Sequence, residues 1–257
     1  MSKVLDSLNM DYNINFQSSA KITSVTFSFL LAVSSLAQEK LLKFKEKKVA
    51  SESFESVGVF DVNNDKIPDL VSGAYWYEGP DYLIRHFIGQ SERFGEYYDD
   101  FATLPLDVNG DGHLDFITGA WFRKNLRWYE NPGDENEWPE HIISETGNIE
   151  TLRGWDVDGD GAIEIVPNTP NDSLKIYRLV RDENGKGTAR FVSHEILGDH
   201  GHGLGFGDLN SDGSGDLIVH NGWLEAPENP FTGKWLFHQE FELGKASVPI
   251  IVTDVNK

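Results

Sequence analysis

From about residue 45 onward, apolar runs of three to five residues alternate with clusters of Gly, Pro, Asn and Asp. No long stretch keeps the three- and four-residue apolar spacing of an amphipathic helix, so the pattern predicts a protein of short strands and turns. VGVF (57–60), TLPL (103–106), LGFG (204–207) and PIIV (249–252) each precede an acidic stretch. LVSGA, FITGA, IVPN and LIVHN follow the four complete stretches. Their β-branched and aromatic residues favour strand. Three repeats then share an aromatic–Glu–Pro turn: WYEGP (76–80), WYENP (128–132) and WLEAP (223–227). Each repeat closes on a predicted strand carrying a histidine: His86, His141, His194 or His238. Four strands in a unit of about 50 residues predict a blade of a β-propeller, so the fold class is all-β.

The acidic stretches read DVNNDKIPD from Asp61, DVNGDGHLD from Asp107, DVDGDGAIE from Asp156 and DLNSDGSGD from Asp208. A fifth, DVNK from Asp254, meets the end of the chain; the starts lie 46, 49, 52 and 46 residues apart. Oxygen-bearing side chains at alternate positions of a tight loop suit calcium, which takes six to eight oxygens. An EF-hand is excluded, because the twelfth residue from Asp107 is Thr118 and the flanks read as strand. The predicted ligands occupy positions 1, 3, 5 and 9. They are Asp61, Asn63, Asp65 and Asp69; Asp107, Asn109, Asp111 and Asp115; Asp156, Asp158, Asp160 and Glu164; and Asp208, Asn210, Asp212 and Asp216. Position 7 is suited to offer a backbone carbonyl, which frees its side chain to vary: Ile67, His113, Ala162, Ser214. Gly112, Gly161 and Gly213 at position 6 permit a positive φ, whereas Lys66 must adopt it at a cost and brings a cation, making the first loop the weakest site. These loops are expected to be structural staples, since metal binding couples to folding.

The recurring D-x-[DN]-x-D-G-x-x-D loops between strands, with Phe206-Gly207, Gly73-Ala74 and Gly119-Ala120, resemble the FG-GAP/VCBS repeat proteins over about residues 45–257. That family comprises calcium-binding β-propellers of the general kind found in integrin α-subunit heads and many secreted bacterial proteins. Lys66 and Glu164 depart from its pattern. The resemblance implies a ring of seven blades, which at this period needs about 350 residues. The expected organisation is four blades (about 51–92, 93–146, 147–197 and 198–247) and a truncated fifth (248–257), part of a longer gene product. A lead-in strand over residues 38–50 would help to close the ring.

Composition adds compartment and charge. Lys21, the apolar stretch 22–37 and the small residues Ser35 and Ala37 fit a secretory signal cut after Ala37, with an atypical extension before it. Secreted or periplasmic localisation is therefore expected, with no membrane attachment after cleavage. The chain has no cysteine, so stabilisation must come from something other than disulfides, and bound metal is a candidate. A formal charge of −20 argues against nucleic acid or anionic lipid as partners. With 257 residues, 39% of them hydrophobic, there is ample material for a core.

If the acidic loops mark one end of the sheets, a ligand belongs at the other. Six residues before each loop stand Glu55, Phe101 (beside Asp99 and Asp100), Glu150 and His202; four residues past each loop stand Gly73, Gly119, Asn168 and His220. The first set differs between blades while the frame does not, as a site grafted onto a repeat would. DHGHGLGFGD (199–208) adds His200 beside His202. Two readings follow. One is a binding or scaffold module for carbohydrate, a small molecule or a protein, with Trp121, Trp155, His200 and Asp100 against the ligand; the repeated Trp76, Trp128 and Trp223 are expected between blades. The other is catalysis by His202, Glu150, His220, Glu55 and Arg153, either through zinc or another transition metal or through proton abstraction and return. The W-x-E-x-P turns and the histidine–glycine stretch also resemble the propeller domain of aldos-2-ulose dehydratase-like proteins, which implies metal-assisted sugar lyase chemistry.

Overall fold

The computed structural model describes residues 43–244 and 249–253. The signal segment, residues 38–42 of the lead-in strand and the fifth loop at Asp254 lie outside the described residues. The chain divides into two compact units, Met1–Lys47 and Lys48–Lys257, and among the described residues every strand belongs to the second. Residues 43–50 form no strand: a strand needs a ladder partner, and none pairs with them.

Four four-stranded antiparallel sheets follow one another along the chain, each a simple meander, and none closes on itself. The first holds Gly58–Phe60 (β1), Asp69–Ser72 (β2), Tyr75–Tyr77 (β3) and Arg85–Phe87 (β4). A two-stranded hairpin, Arg93–Phe94 (β5) with Tyr97–Tyr98 (β6), separates it from the second. That sheet holds Leu104–Leu106 (β7), Asp115–Gly119 (β8), Asn125–Tyr129 (β9) and Glu140–Glu145 (β10). The third holds Thr151–Trp155 (β11), Glu164–Asn168 (β12), Ser173–Arg181 (β13) and Gly187–Asp199 (β14). The fourth holds Gly205–Gly207 (β15), Asp216–Val219 (β16), Gly222–Glu225 (β17) and Leu236–His238 (β18). This is an all-β, propeller-like arrangement with the predicted four-strand unit, and among the described residues no helix is long and apolar enough to cross a membrane.

The second strands of the two middle sheets, β8 and β12, are buried on both faces because each of these sheets packs between two others. Successive residues point to opposite faces. Phe116 therefore joins Phe60, Val71 and Trp76 of the first sheet, while Ile117 joins Leu152, Ile165 and Tyr177 of the third. Val166, one residue past Ile165, turns the other way, to Leu217, Val219 and Leu224 of the fourth.

The structure departs from the repeat in three places. PIIV forms no strand; its one backbone bond runs from Ile250 N–H to Leu204 O at 3.1 Å, and its would-be second strand lies past the described residues. The β5–β6 hairpin replaces a simple turn. The third sheet lacks the W-x-E-x-P turn; β13 continues for nine residues, and its hairpin with β14 reaches the second acidic loop. There Ala189 N–H donates to Val108 O at 2.8 Å and Lys186 Nζ to Gly110 O at 3.2 Å.

Candidate functional site

Each complete acidic loop joins the first strand of a sheet to the second and folds around its own carboxylates. In the second loop Asp107 accepts N–H bonds from Gly110 (2.7 Å) and Gly112 (3.1 Å), and Asp111 accepts one from His113 (2.8 Å). The first and fourth loops repeat this, with Asp61 accepting from Asp65 and Lys66, and Asp208 from Asp212 and Gly213. Position 6 has positive φ throughout, including Lys66 at 72°. Position 4 does too, at Asn64, Gly110, Gly159 and Ser211, which the sequence reading missed.

Position 9 is a different kind of residue from the other three. Asp69, Asp115, Glu164 and Asp216 are all fully buried. Asp115 Oδ2 accepts Val108 N–H and its Oδ1 accepts Asn131 N–H, both at 2.8 Å, tying the loop's second residue to the W-x-E-x-P turn. Asp69 does the same with Val62 and Gly79, and Asp216 with Leu209 and Ala226. Burial pushes Asp115 and Glu164 up to about 7, with neighbouring loop acids adding to the shift, and burial raises Asp69 and Asp216 as well. Such groups call for a compensating cation.

The donor set fits calcium: all oxygen, mostly carboxylate, on loops held open by their own N–H groups. In the third loop Asp156, Asp158 and Glu164 bring ligand oxygens within 4.8 Å of one another. Two buried oxygens there, Asp156 Oδ1 and Glu164 Oε1, have no hydrogen-bond partner.

Behind three of the loops stands a repeated Trp–His–Glu unit spanning the third and fourth strands. His86, His141 and His238 stack on Trp76, Trp128 and Trp223 at 3.9, 4.5 and 4.2 Å. Their Nε2 atoms lie 3.3, 2.7 and 2.7 Å from Glu78, Glu130 and Glu225. Trp76 and Trp128 are at the same time buried in cores shared with the neighbouring sheet, where packing between blades would put them. Glu130 also accepts from Asn109 Nδ2 at 3.2 Å, joining the unit to position 3 of the loop.

At the opposite end of the sheets the residues counted from the loops do pair: Phe101 N–H donates to Gly119 O and Glu150 N–H to Asn168 O. One cluster forms from three sheets. His202 Nδ1 lies 3.3 Å from Glu150 Oε2, and the His202 ring lies over Trp121 at 6.2 Å and 27°. Asn148 Nδ2 holds the Trp121 carbonyl at 2.7 Å. The His202 and Glu150 side chains are 47% and 30% exposed, so the cluster is open to a ligand.

The other candidates separate from it. His200 is buried, and Asn168 Nδ2 donates to its Nε2 at 3.1 Å; it supports the backbone instead of facing a ligand. His220 Nδ1 donates to His200 O at 2.7 Å. Of the three imidazoles His202 alone is paired with Glu150, while His200 and His220 serve other partners, so they do not gather around one point as zinc ligands would. Trp155 sits at the acidic-loop end of β11, stacked on Phe206 at 5.3 Å, and packs between sheets. Glu55 and Arg153 line a cavity of about 420 Å³ with Phe101, Thr103 and Thr151, apart from the His202 cluster.

Two matches to the FG-GAP-like repeat, over residues 107–167 and 156–219, run from the second loop through the third sheet to the second strand of the fourth. The chain carries FG-GAP-like repeats. A solved structure of an Agrocybe aegerita lectin, described as recognising non-reducing terminal N-acetylglucosamine, aligns over 74% of this chain at 17% identity and a TM-score of 0.43. The alignment takes in 54% of that lectin, so the chain spans about half its length. No curated protein matches the chain.

At the end of the sheets away from the acidic loops, sequence reasoning singled out Asp99 and Asp100 but missed Phe94, Phe122 and Arg127, which lie outside the positions counted from the repeat. Asp99 is buried and accepts N–H bonds from Phe122 and Arg123, both at 2.9 Å, shaping the turn after Trp121. Phe94 of the inserted hairpin stacks on Phe122 at 4.7 Å, and buried Arg127 donates to Asp99 O and, at 3.1 Å, to Asn125 Oδ1. Asp100 is 5% exposed, its Oδ1 accepts Glu55 N–H at 3.3 Å and its Oδ2 has no partner. Burial pushes Asp100 from 3.8 up to about 7. A raised carboxyl stabilises the fold fully below its unfolded value and loses that contribution as pH rises through the folded one. Between those values the loss is about 1.4 kcal/mol per pH unit. Thermal melts from pH 5 to pH 8 should therefore show a decline in stability that Asp100→Asn flattens; parallel curves for the two proteins would refute the assignment.

Proposed function

We propose that this chain is a secreted or periplasmic, calcium-stabilised propeller module, part of a seven-bladed ring, that binds a carbohydrate or similar small ligand. The cluster of Trp121, Glu150 and His202 carries the reading. Three sheets contribute one residue each at the end away from the acidic loops, at positions where the repeat breaks. An indole face offers the apolar platform a sugar ring needs, and a half-exposed carboxylate beside an imidazole offers acceptor and donor for vicinal hydroxyls. Nucleic acid does not suit so acidic a chain.

A glycan array probed with the purified protein tests this. Wild type should bind a defined set of glycans, Trp121→Ala should lose at least about tenfold in affinity, as loss of a stacked ring predicts, and far-ultraviolet circular dichroism should be unchanged. Absence of any glycan ligand, or full binding by Trp121→Ala, would sink the carbohydrate reading. The second reading, a lyase, rests on the 3.3 Å His202–Glu150 contact, the geometry of a base held by its orienting carboxylate. It requires turnover of the bound sugar to an unsaturated product, lost in His202→Ala.

A further inference from the structure

The third loop differs from the other three in two independent ways, and one residue accounts for both. Strand pairing aligns the repeats: Leu70 faces Tyr77, Phe116 faces Tyr129, Ile165 faces Tyr177 and Leu217 faces Leu224. The next residue on each third strand is therefore Glu78, Glu130, Arg178 and Glu225. Position 3 of the loops changes in step: Asn63, Asn109, Asp158 and Asn210. In the second repeat the loop amide donates to the strand's carboxylate, Asn109 to Glu130. In the third the hydrogen bond is reversed, and the Arg178 guanidinium donates to the Asp158 carboxylate.

The second difference is at position 9. The other three carboxylates take one N–H from the loop and one from the W-x-E-x-P turn. The third sheet has no such turn; Leu179 pairs with Phe191 in the ladder, and Glu164 receives only Val157 N–H, at 3.0 Å. Its other oxygen, Oε1, instead faces Arg178 Nε at 3.6 Å, and Phe231 backs the guanidinium at 3.5 Å from the ring centroid. Arg178 thus stands where a turn amide and a glutamate stand in the sister repeats.

We propose that Arg178 is a resident cation for the third acidic loop, so that this loop keeps its fold without a divalent ion while the second and fourth depend on one. The inference rests on the reading of the loops as calcium sites. A guanidinium already bonded to Asp158 and beside Glu164 takes up two of the oxygens an ion needs. It also opposes a divalent charge at close range, where electrostatic terms are strong. Calcium enters the third loop only against that charge, so its affinity there is the lower. The two differences fall in the same repeat: Asp at position 3 occurs only where the third strand carries Arg. An Asp without the Arg would leave four acids around one loop, and an Arg without the Asp would sit unpaired.

Hydrogen exchange followed by mass spectrometry, with and without calcium, tests this through three equivalent amides. Val108, Val157 and Leu209 each donate to a position-9 carboxylate. On addition of chelator to the whole chain, exchange at Val108 and Leu209 should accelerate by about tenfold or more, and at Val157 by less than about twofold. In Arg178→Gln, Val157 should become calcium-dependent like the others, and calorimetry should find calcium at the third loop bound about tenfold more tightly. Equal calcium dependence of all three amides in wild type overturns the proposal, whether or not the variant folds. So does a variant whose Val157 remains insensitive. Calcium-independence of all three would instead remove the calcium reading itself.

Discussion

Removal of calcium is expected to lower the melting temperature by about 10–20 °C. A site held at a hundredfold excess over its dissociation constant contributes about 2.7 kcal/mol, so two dependent loops contribute about 5 kcal/mol. For a chain of this size each kcal/mol moves the transition by about 2–4 °C. The structural grounds are the buried position-9 carboxylates, which sit among further acids and have no disulfide to share the burden, since the chain has no cysteine. Scanning calorimetry in calcium and in chelator reads the difference, with magnesium as a control for ionic strength. A shift of under about 3 °C would mean that backbone hydrogen bonds alone hold the loops, and the calcium assignment would fall.

The sheet frame was legible because its period was written several times in chemistry with one meaning. Asp107 and its equivalents mark where the first strand ends, and FITGA or LIVHN marks where the second begins. The burial of Phe116 and Ile117 on opposite faces follows from that register alone. What the frame hides is any residue whose role depends on the break in the repeat. Trp155 looked like a stacking residue because it falls outside the W-x-E-x-P pattern; it packs on Phe206 because β11 carries it to the loop end of the sheet. His200, His202 and His220 looked like one site because the first two flank a glycine and the third stands beyond the fourth loop on the neighbouring strand. Gly201, at a φ of 67°, divides His200 from His202, and one is bonded inward to Asn168 and the other meets Glu150. The roles of Glu130 and Arg178 were invisible for another reason: a hydrogen bond from third strand to loop depends on cross-strand register, which a single sequence does not fix.

That register also decides between two roles for position 9, and a pair of substitutions in the second loop separates them. Asp115→Ala should destabilise the protein by about 3–5 kcal/mol, because it strands the buried N–H groups of Val108 and Asn131. The melting temperature should fall by about 10 °C or more, and calcium should recover little of it, since no ion can accept a hydrogen bond. Asp115→Asn should lie between: its amide oxygen can accept one N–H while its amide nitrogen meets the other donor head-on. Asp111→Ala, at position 5 and exposed, should behave differently. It should melt nearly like wild type in chelator and lose mainly the calcium-dependent increment, because Asp111 accepts hydrogen bonds only within its own exposed loop, from the His113 amide and from Asn109 Nδ2. If Asp115→Ala instead matched Asp111→Ala, stable without calcium and merely unresponsive to it, position 9 would be a ligand and nothing more. The two amides it ties together would then have other partners when the ion is absent.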